Sequence, residues 1–189
     1  QGEKLLLITA ERLGDTLFCV PAIKLLNQIA PHIKQDVMAL SPLAGAIFSH
    51  NPYINKLHVV GGEREIRKIA NNYPLALNLM FEMQKHLSRF PTQLVSIGQP
   101  DLAKHRATQV TEFIQGLISC DANAEQYPYD LFPQANHNAN VQHKLQRAGI
   151  DLEQHRVVGL QLGCHRVARR GWKFWSKKQN YTCIYTQFL

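Results

Sequence analysis

Apolar residues along this chain come in short continuous runs, separated by stretches in which they recur every three or four positions. That alternation predicts repeated strand and helix units. The run Leu5, Leu6, Leu7, Ile8, Thr9 lacks polar alternation, as a strand buried on both faces requires. Leu13, Gly14, Asp15 and Thr16 then turn the chain into an apolar-periodic helix that Pro31 ends. Gly14 is expected to give this turn a backbone conformation barred to other residues. Asp15 is expected either to cap the helix or to stand as a carboxylate at the mouth of a cleft. Further strands are predicted at 37–40, 57–60, 75–81 and 93–97, with helices at 42–49, 63–72 and 83–90 between them. Asn51, Pro52 and Tyr53 form a turn, Gly61 and Gly62 close the third strand, and Ile66 and Ile69 point inward from their helix. The segment 106–119 is amphipathic, with Val110, Phe113, Ile114 and Leu117 on one face. Units of this length predict the α/β class, with a parallel sheet covered by helices on both faces.

The pattern breaks at 121–140, where Pro128, Pro133 and a run of Asn, Gln and His predict a connecting segment. Residues 142–148 continue as a helix that Gly149 stops, and 156–162 restart as a strand ending at Gly163. A basic loop follows, and 181–189 has the look of the first turns of a helix. This predicts one domain over 1–153 and the first strand, loop and helix of a second over 154–189. The strand at 156–163 is then expected to lie outside the first sheet.

Composition adds bounds. A chain of 189 residues with 45% hydrophobic residues can bury one sizeable core without staples. Without an apolar run near the ~20 residues that span a bilayer, or the order of a signal peptide, a cytoplasmic protein is expected. Cys19, Cys120, Cys164 and Cys183 are scattered and read as reduced, packed thiols, and the nine dispersed histidines propose no metal site.

Charge changes the picture more. Arg156, Arg166, Arg169, Arg170, Lys173, Lys177 and Lys178 fall within 156–178, which holds no acid, and they account for the whole net charge of +7. Such a cluster points to a phosphate-rich partner, such as a nucleotide or a phospholipid head group, although a solvated basic face is the commoner origin. The basic residues are not interleaved along a reading helix or an aromatic sheet, which argues against nucleic acid. Neither GxGxxG nor a Walker motif is present, so a dinucleotide-binding dehydrogenase or a P-loop enzyme finds no support.

Two stretches together resemble the heptosyltransferases of glycosyltransferase family 9. Leu13-Gly14-Asp15 after the first strand, with Pro21-Ala22 in the helix, is similar to that family's first motif. Gly159-Leu160-Gln161-Leu162-Gly163, followed by Lys173-Phe174-Trp175-Ser176, is similar to a later one, and Asn51-Pro52-Tyr53 and His105 suit the pattern.

The resemblance implies a Rossmann-like sheet forming the N-terminal, acceptor-side half of a GT-B type glycosyltransferase, with the donor-side half truncated. It implies a sugar moved, with inversion and without metal or cofactor, from an ADP-heptose-like donor to a phosphorylated lipid A and core acceptor, with peripheral membrane contact at the inner face of the inner membrane. Asp15 would be the general base. Lys173 would contact the donor phosphates, and an alignment through Trp172 puts Arg170 in that role instead. Arg12, Arg166 and Arg169 would bind acceptor phosphates, while Trp172 and Trp175 read as packing residues and His105 as a helix start. Half a cleft is expected to transfer no sugar alone. A non-catalytic module binding a phosphorylated glycolipid or nucleotide is the second reading.

Overall fold

A computed structural model of the chain describes residues 3–81, 93–119, 128–161 and 182–188. The chain divides into two compact units, Gln1–Phe132 and Pro133–Leu189.

The first unit is built on β1 (Lys4–Ile8), β2 (Lys34–Ala39), β3 (Lys56–Val59), β4 (Leu75–Asn78) and β5 (Gln93–Ser96). All neighbours pair in parallel in the order β3-β2-β1-β4-β5, with Leu7 facing Val37 on one side and Leu77 on the other. Alternate residues of β1 serve opposite faces, as the period of a strand demands. Leu5 and Leu7 enter one core with Val37, Ala39 and Leu77, beneath α2 (Val20–Ile29), α3 (Pro42–Phe48) and α5 (Arg106–Ile118). Leu6 and Ile8 enter the other with Met38 and Ala76, beneath α4 (Glu63–Ala70), which contributes Ile66 and Ala70. Helices therefore cover both faces of a parallel sheet. The predicted α/β class holds, and β1 is apolar from Leu5 to Ile8 because neither face meets water there.

Several expectations are corrected. β2 begins at Lys34 rather than 37, because Gln35 and Asp36 are buried despite their polarity. Gly14 lies inside a short helix, α1 (Leu13–Leu17), without positive φ, so the turn makes no use of glycine's extra freedom. Leu117 is 44% exposed and leaves the core face of α5 to Val110, Phe113 and Ile114. The helix expected at 83–90 lies outside the described residues.

The division between units falls after Phe132, not at 153. The Tyr53 and Phe132 rings meet edge to face at 5.7 Å, and Lys24 Nζ lies 2.5 Å from Asp130 Oδ2, so 128–132 packs on the first unit. The second unit opens with α6 (Ala135–Arg147), where 135–140 had been expected to be a connector. Asn and His are poor helix formers. Here the His137 ring Nδ1 accepts from the Gln134 backbone N–H at 3.2 Å, one arm of a capping arrangement that supports this first turn.

At its other end α6 stops at Gly149, with φ of 74°, as predicted. Gly149 N–H donates to Gln146 O and Ile150 N–H to Leu145 O, each at 2.9 Å, the hydrogen bonds of a Schellman motif. Gly149→Ala is expected to cost about 1 to 2 kcal/mol, the strain of a side chain in a left-handed conformation. Hydrogen exchange of the Gly149 and Ile150 amides checks it: unchanged protection there would mean that the motif contributes nothing.

β6 (His155–Gln161) pairs antiparallel with β7 (Thr182–Phe188) in a separate two-stranded sheet. The strand predicted from Arg156 onward thus lies outside the first sheet. The helix predicted at 181–189 is instead β7, because Thr182, Ile184, Tyr185, Thr186 and Phe188 are the β-branched and aromatic types that favour strands.

Candidate functional site

The strand order reverses direction at β1, between β2 and β4. In open parallel sheets a crevice forms at such a point, outside the carboxyl ends of the strands. Asp15 follows β1 and Leu79, Met80 and Phe81 follow β4, and these four residues, with Phe18, Arg106 and Val110, line one cleft. Counting its open mouth, the cleft encloses about 420 Å³.

Each wall is pinned by local chemistry. The α1 turn is held by Thr16 Oγ1, which donates to Arg12 O at 2.8 Å, and by Ser41 Oγ, which donates to Glu11 O at 2.6 Å. Asn78, buried at the end of β4, accepts from Met80 N–H through its side-chain oxygen and donates to Met80 O, both at 3.1 Å, and so fixes the bend that presents Phe81. On the third wall, buried Gln109 reaches back from α5. Its amide accepts from Asp101 N–H at 2.8 Å and donates to Asp101 O at 2.8 Å and Lys104 O at 3.0 Å, which fixes the loop entering α5.

Asp15 is half-buried in the first turn of α1, where its negative charge suits the helix dipole. It is not the cap. Arg12 occupies that position, with no side-chain cap hydrogen bond. No described residue donates to the Asp15 carboxylate oxygens, so its acceptor capacity is open to the cleft. One turn on, burial and then the charge of Asp15 push the Cys19 thiol up to about 12, so Cys19 is a packing residue and no nucleophile.

Of the catalytic and phosphate-binding candidates read from the sequence, Asp15 alone lines this cleft among those described. Arg12 is exposed and does not line it. Arg166, Arg169, Arg170 and Lys173, with Trp172 and Trp175, lie outside the described residues. His105 is the helix start it was read to be: its Nδ1 accepts from Ala107 N–H at 3.3 Å, and its ring meets Phe18 edge to face at 5.4 Å. The residue that sequence reading missed is Arg106, whose guanidinium carbon lies 4.6 Å from the centre of the Phe81 ring. The available signal was a cation in the first turn of a helix, where it opposes the dipole. Among the described residues no group of three His, Cys, Asp or Glu side chains is placed to hold a metal ion, and no helix is long and apolar enough to cross a membrane.

No family model matches the sequence, and a search of curated proteins finds no match. Solved structures do match in fold. A glycosyltransferase of family 9 from Veillonella parvula is similar with a TM-score of 0.68 at 14% identity, over 80% of this chain and 51% of that one. E. coli ADP-heptose lipopolysaccharide heptosyltransferase II matches with a TM-score of 0.53 at 14% identity, over 80% of this chain and 52% of its own. E. coli heptosyltransferase WaaC, solved with ADP-2-deoxy-2-fluoro heptose, matches at 0.52 and 15% identity, over 80% and 56%. The chain spans about half the length of these proteins. Over that half, it has the Rossmann-like α/β fold of the family 9 glycosyltransferases.

Proposed function

We propose that this chain is the acceptor-side portion of a glycosyltransferase that moves a heptose-like sugar from a nucleotide diphosphate donor to a phosphorylated lipopolysaccharide inner-core acceptor. The observation that carries this reading is a carboxylate to which no described residue donates, Asp15, at the switch point of a sheet whose fold is shared with family 9 glycosyltransferases. In this reading an acceptor hydroxyl oxygen bonds to the anomeric carbon as the bond from that carbon to the diphosphate oxygen breaks. The hydroxyl proton passes to Asp15 and the leaving diphosphate keeps the electron pair. Lys173 and Arg170 offset that diphosphate's charge, Arg12, Arg166 and Arg169 hold acceptor phosphates, and no metal takes part. The enzyme works at the cytoplasmic face of the membrane that carries its acceptor.

Titrating deacylated inner-core lipopolysaccharide into the 189-residue chain by calorimetry tests the acceptor half of this reading. Saturable binding is expected, and it is retained in Asp15→Asn, because a general base contributes chiefly to the reaction rather than to ground-state affinity. Absence of binding by the parent chain would sink it.

A further inference from the structure

Arg106 lines this cleft with a donor that no described residue satisfies. Its Nη1 is fully buried and has no hydrogen-bond partner among the described residues. Asp15, a natural counter-ion, lines the same cleft, yet no ion pair joins them. A buried cationic donor left without an acceptor is costly, and the residue's place in the first turn of α5 adds an unfavourable helix dipole. The surroundings nevertheless hold the group in place. Phe81 lies against the guanidinium in a cation–π contact that uses the ring face and occupies none of its N–H donors in a hydrogen bond. Apolar Phe18, Leu79, Met80 and Val110 line the remainder of the cleft, and in such walls a charge-assisted pair is stronger than in water.

We propose that Arg106 is an anion-binding residue that receives a phosphate or carboxylate group of the acceptor through the edge of its guanidinium. The assignment of the anion to the acceptor rests on the glycosyltransferase reading; the binding of an anion does not. Planar pairs of oxygens match the guanidinium fork, as phosphate and carboxylate both present. With the anion on Arg106 on one wall, a neighbouring hydroxyl of the same molecule is directed to the Asp15 carboxylate on another. Arg106 is then the residue that positions the acceptor, and Asp15 the one that takes its proton.

The test follows the side-chain Nε–Hε resonance of Arg106 in the 189-residue chain, assigned by its disappearance in Arg106→Lys, while inorganic phosphate or acetate is titrated at constant ionic strength. A saturable shift with a dissociation constant on the order of millimolar is expected, as two charge-assisted hydrogen bonds to a small ion provide. Tighter phosphate binding assigns a phosphorylated acceptor and tighter acetate binding a sugar acid; both support the site. By calorimetry Arg106→Lys, which keeps the charge and loses the fork, should bind about tenfold more weakly. Asp15→Asn should bind at least as tightly as the parent, because a neighbouring negative charge is gone. Failure of Asp15 as a base would leave all these results standing, so the two ideas fail separately. An unmoved Arg106 resonance with both anions, or equal affinity in Arg106→Lys, overturns the proposal.

Discussion

Sugar transfer is expected to fall by ~100- to 10,000-fold when Asp15 is replaced by asparagine, the range that loss of general-base assistance costs. The appropriate protein is this chain joined to the donor-side half of a family 9 heptosyltransferase, assayed as ADP released from ADP-heptose in the presence of the lipid A core acceptor. Asparagine has nearly the shape of aspartate but cannot take the hydroxyl proton. Its structural cost is small. Asp15 caps nothing and receives no hydrogen bond from a described residue, so the fold loses only a favourable charge near a helix N-terminus, about 1 kcal/mol or less. The melting temperature should therefore stay within a few degrees while turnover collapses. Turnover within a few-fold of the parent would remove Asp15 from the chemistry. A fusion that binds acceptor but releases no ADP even with Asp15 in place would favour the non-catalytic module.

The part of this site legible in the sequence was the part that is local. Leu5 to Thr9 announces a doubly buried strand, and Asp15 lies just beyond it at a turn, so both could be read from neighbours in the chain. The cleft itself depends on β4 pairing beside β1, which brings Leu79, Met80 and Phe81 to Asp15 from more than sixty positions away. No periodicity encodes that pairing. Arg106 was opaque for a related reason: a cation at a helix start looks like a solvated one until burial of Nη1 and the Phe81 ring are known. The misread elements share a cause as well. Residues 135–140 carry Asn and His, and β2 opens with Lys34, Gln35 and Asp36, so composition disguised a helix and half a strand whose contacts override propensity.

Asp36 carries the largest stability effect expected of a polar substitution here. It is 1% exposed within the sheet, and its two oxygens accept from Tyr73 Oη–H and Asn55 Nδ2–H, each at 2.6 Å. Because the Tyr73 proton is committed to Asp36, the His58 Nε2, 2.9 Å from the phenol oxygen, is the donor in that contact. Asp36→Ala removes the acceptor of two charge-assisted bonds and strands both donors, at roughly 3 to 5 kcal/mol, a large fraction of the 5 to 15 kcal/mol that holds a typical domain. Tyr73→Phe removes one of the two donors to Asp36 and the acceptor of the His58 Nε2–H but keeps the carboxylate and its Asn55 bond, so it should cost less, roughly 1 to 3 kcal/mol. Denaturant unfolding reads both as a lowered midpoint at unchanged slope.

The same network gives the fold a pH dependence of known sign. Burial, and then the charge of Lys56, lower the His58 pKa, while Asp36 opposes them. The unfolded chain therefore takes up the His58 proton before the folded one does. Stability is full above the ordinary histidine value near ~6.5 and is lost as pH falls from there toward the folded value. Without Asp36 the opposing influence disappears, so Asp36→Ala should lose more on acidification than the parent does, and a His58→Gln chain less. An Asp36→Ala chain destabilised by under about 1 kcal/mol at pH 7.5 would show that water replaces the carboxylate and that this network is no keystone of the sheet.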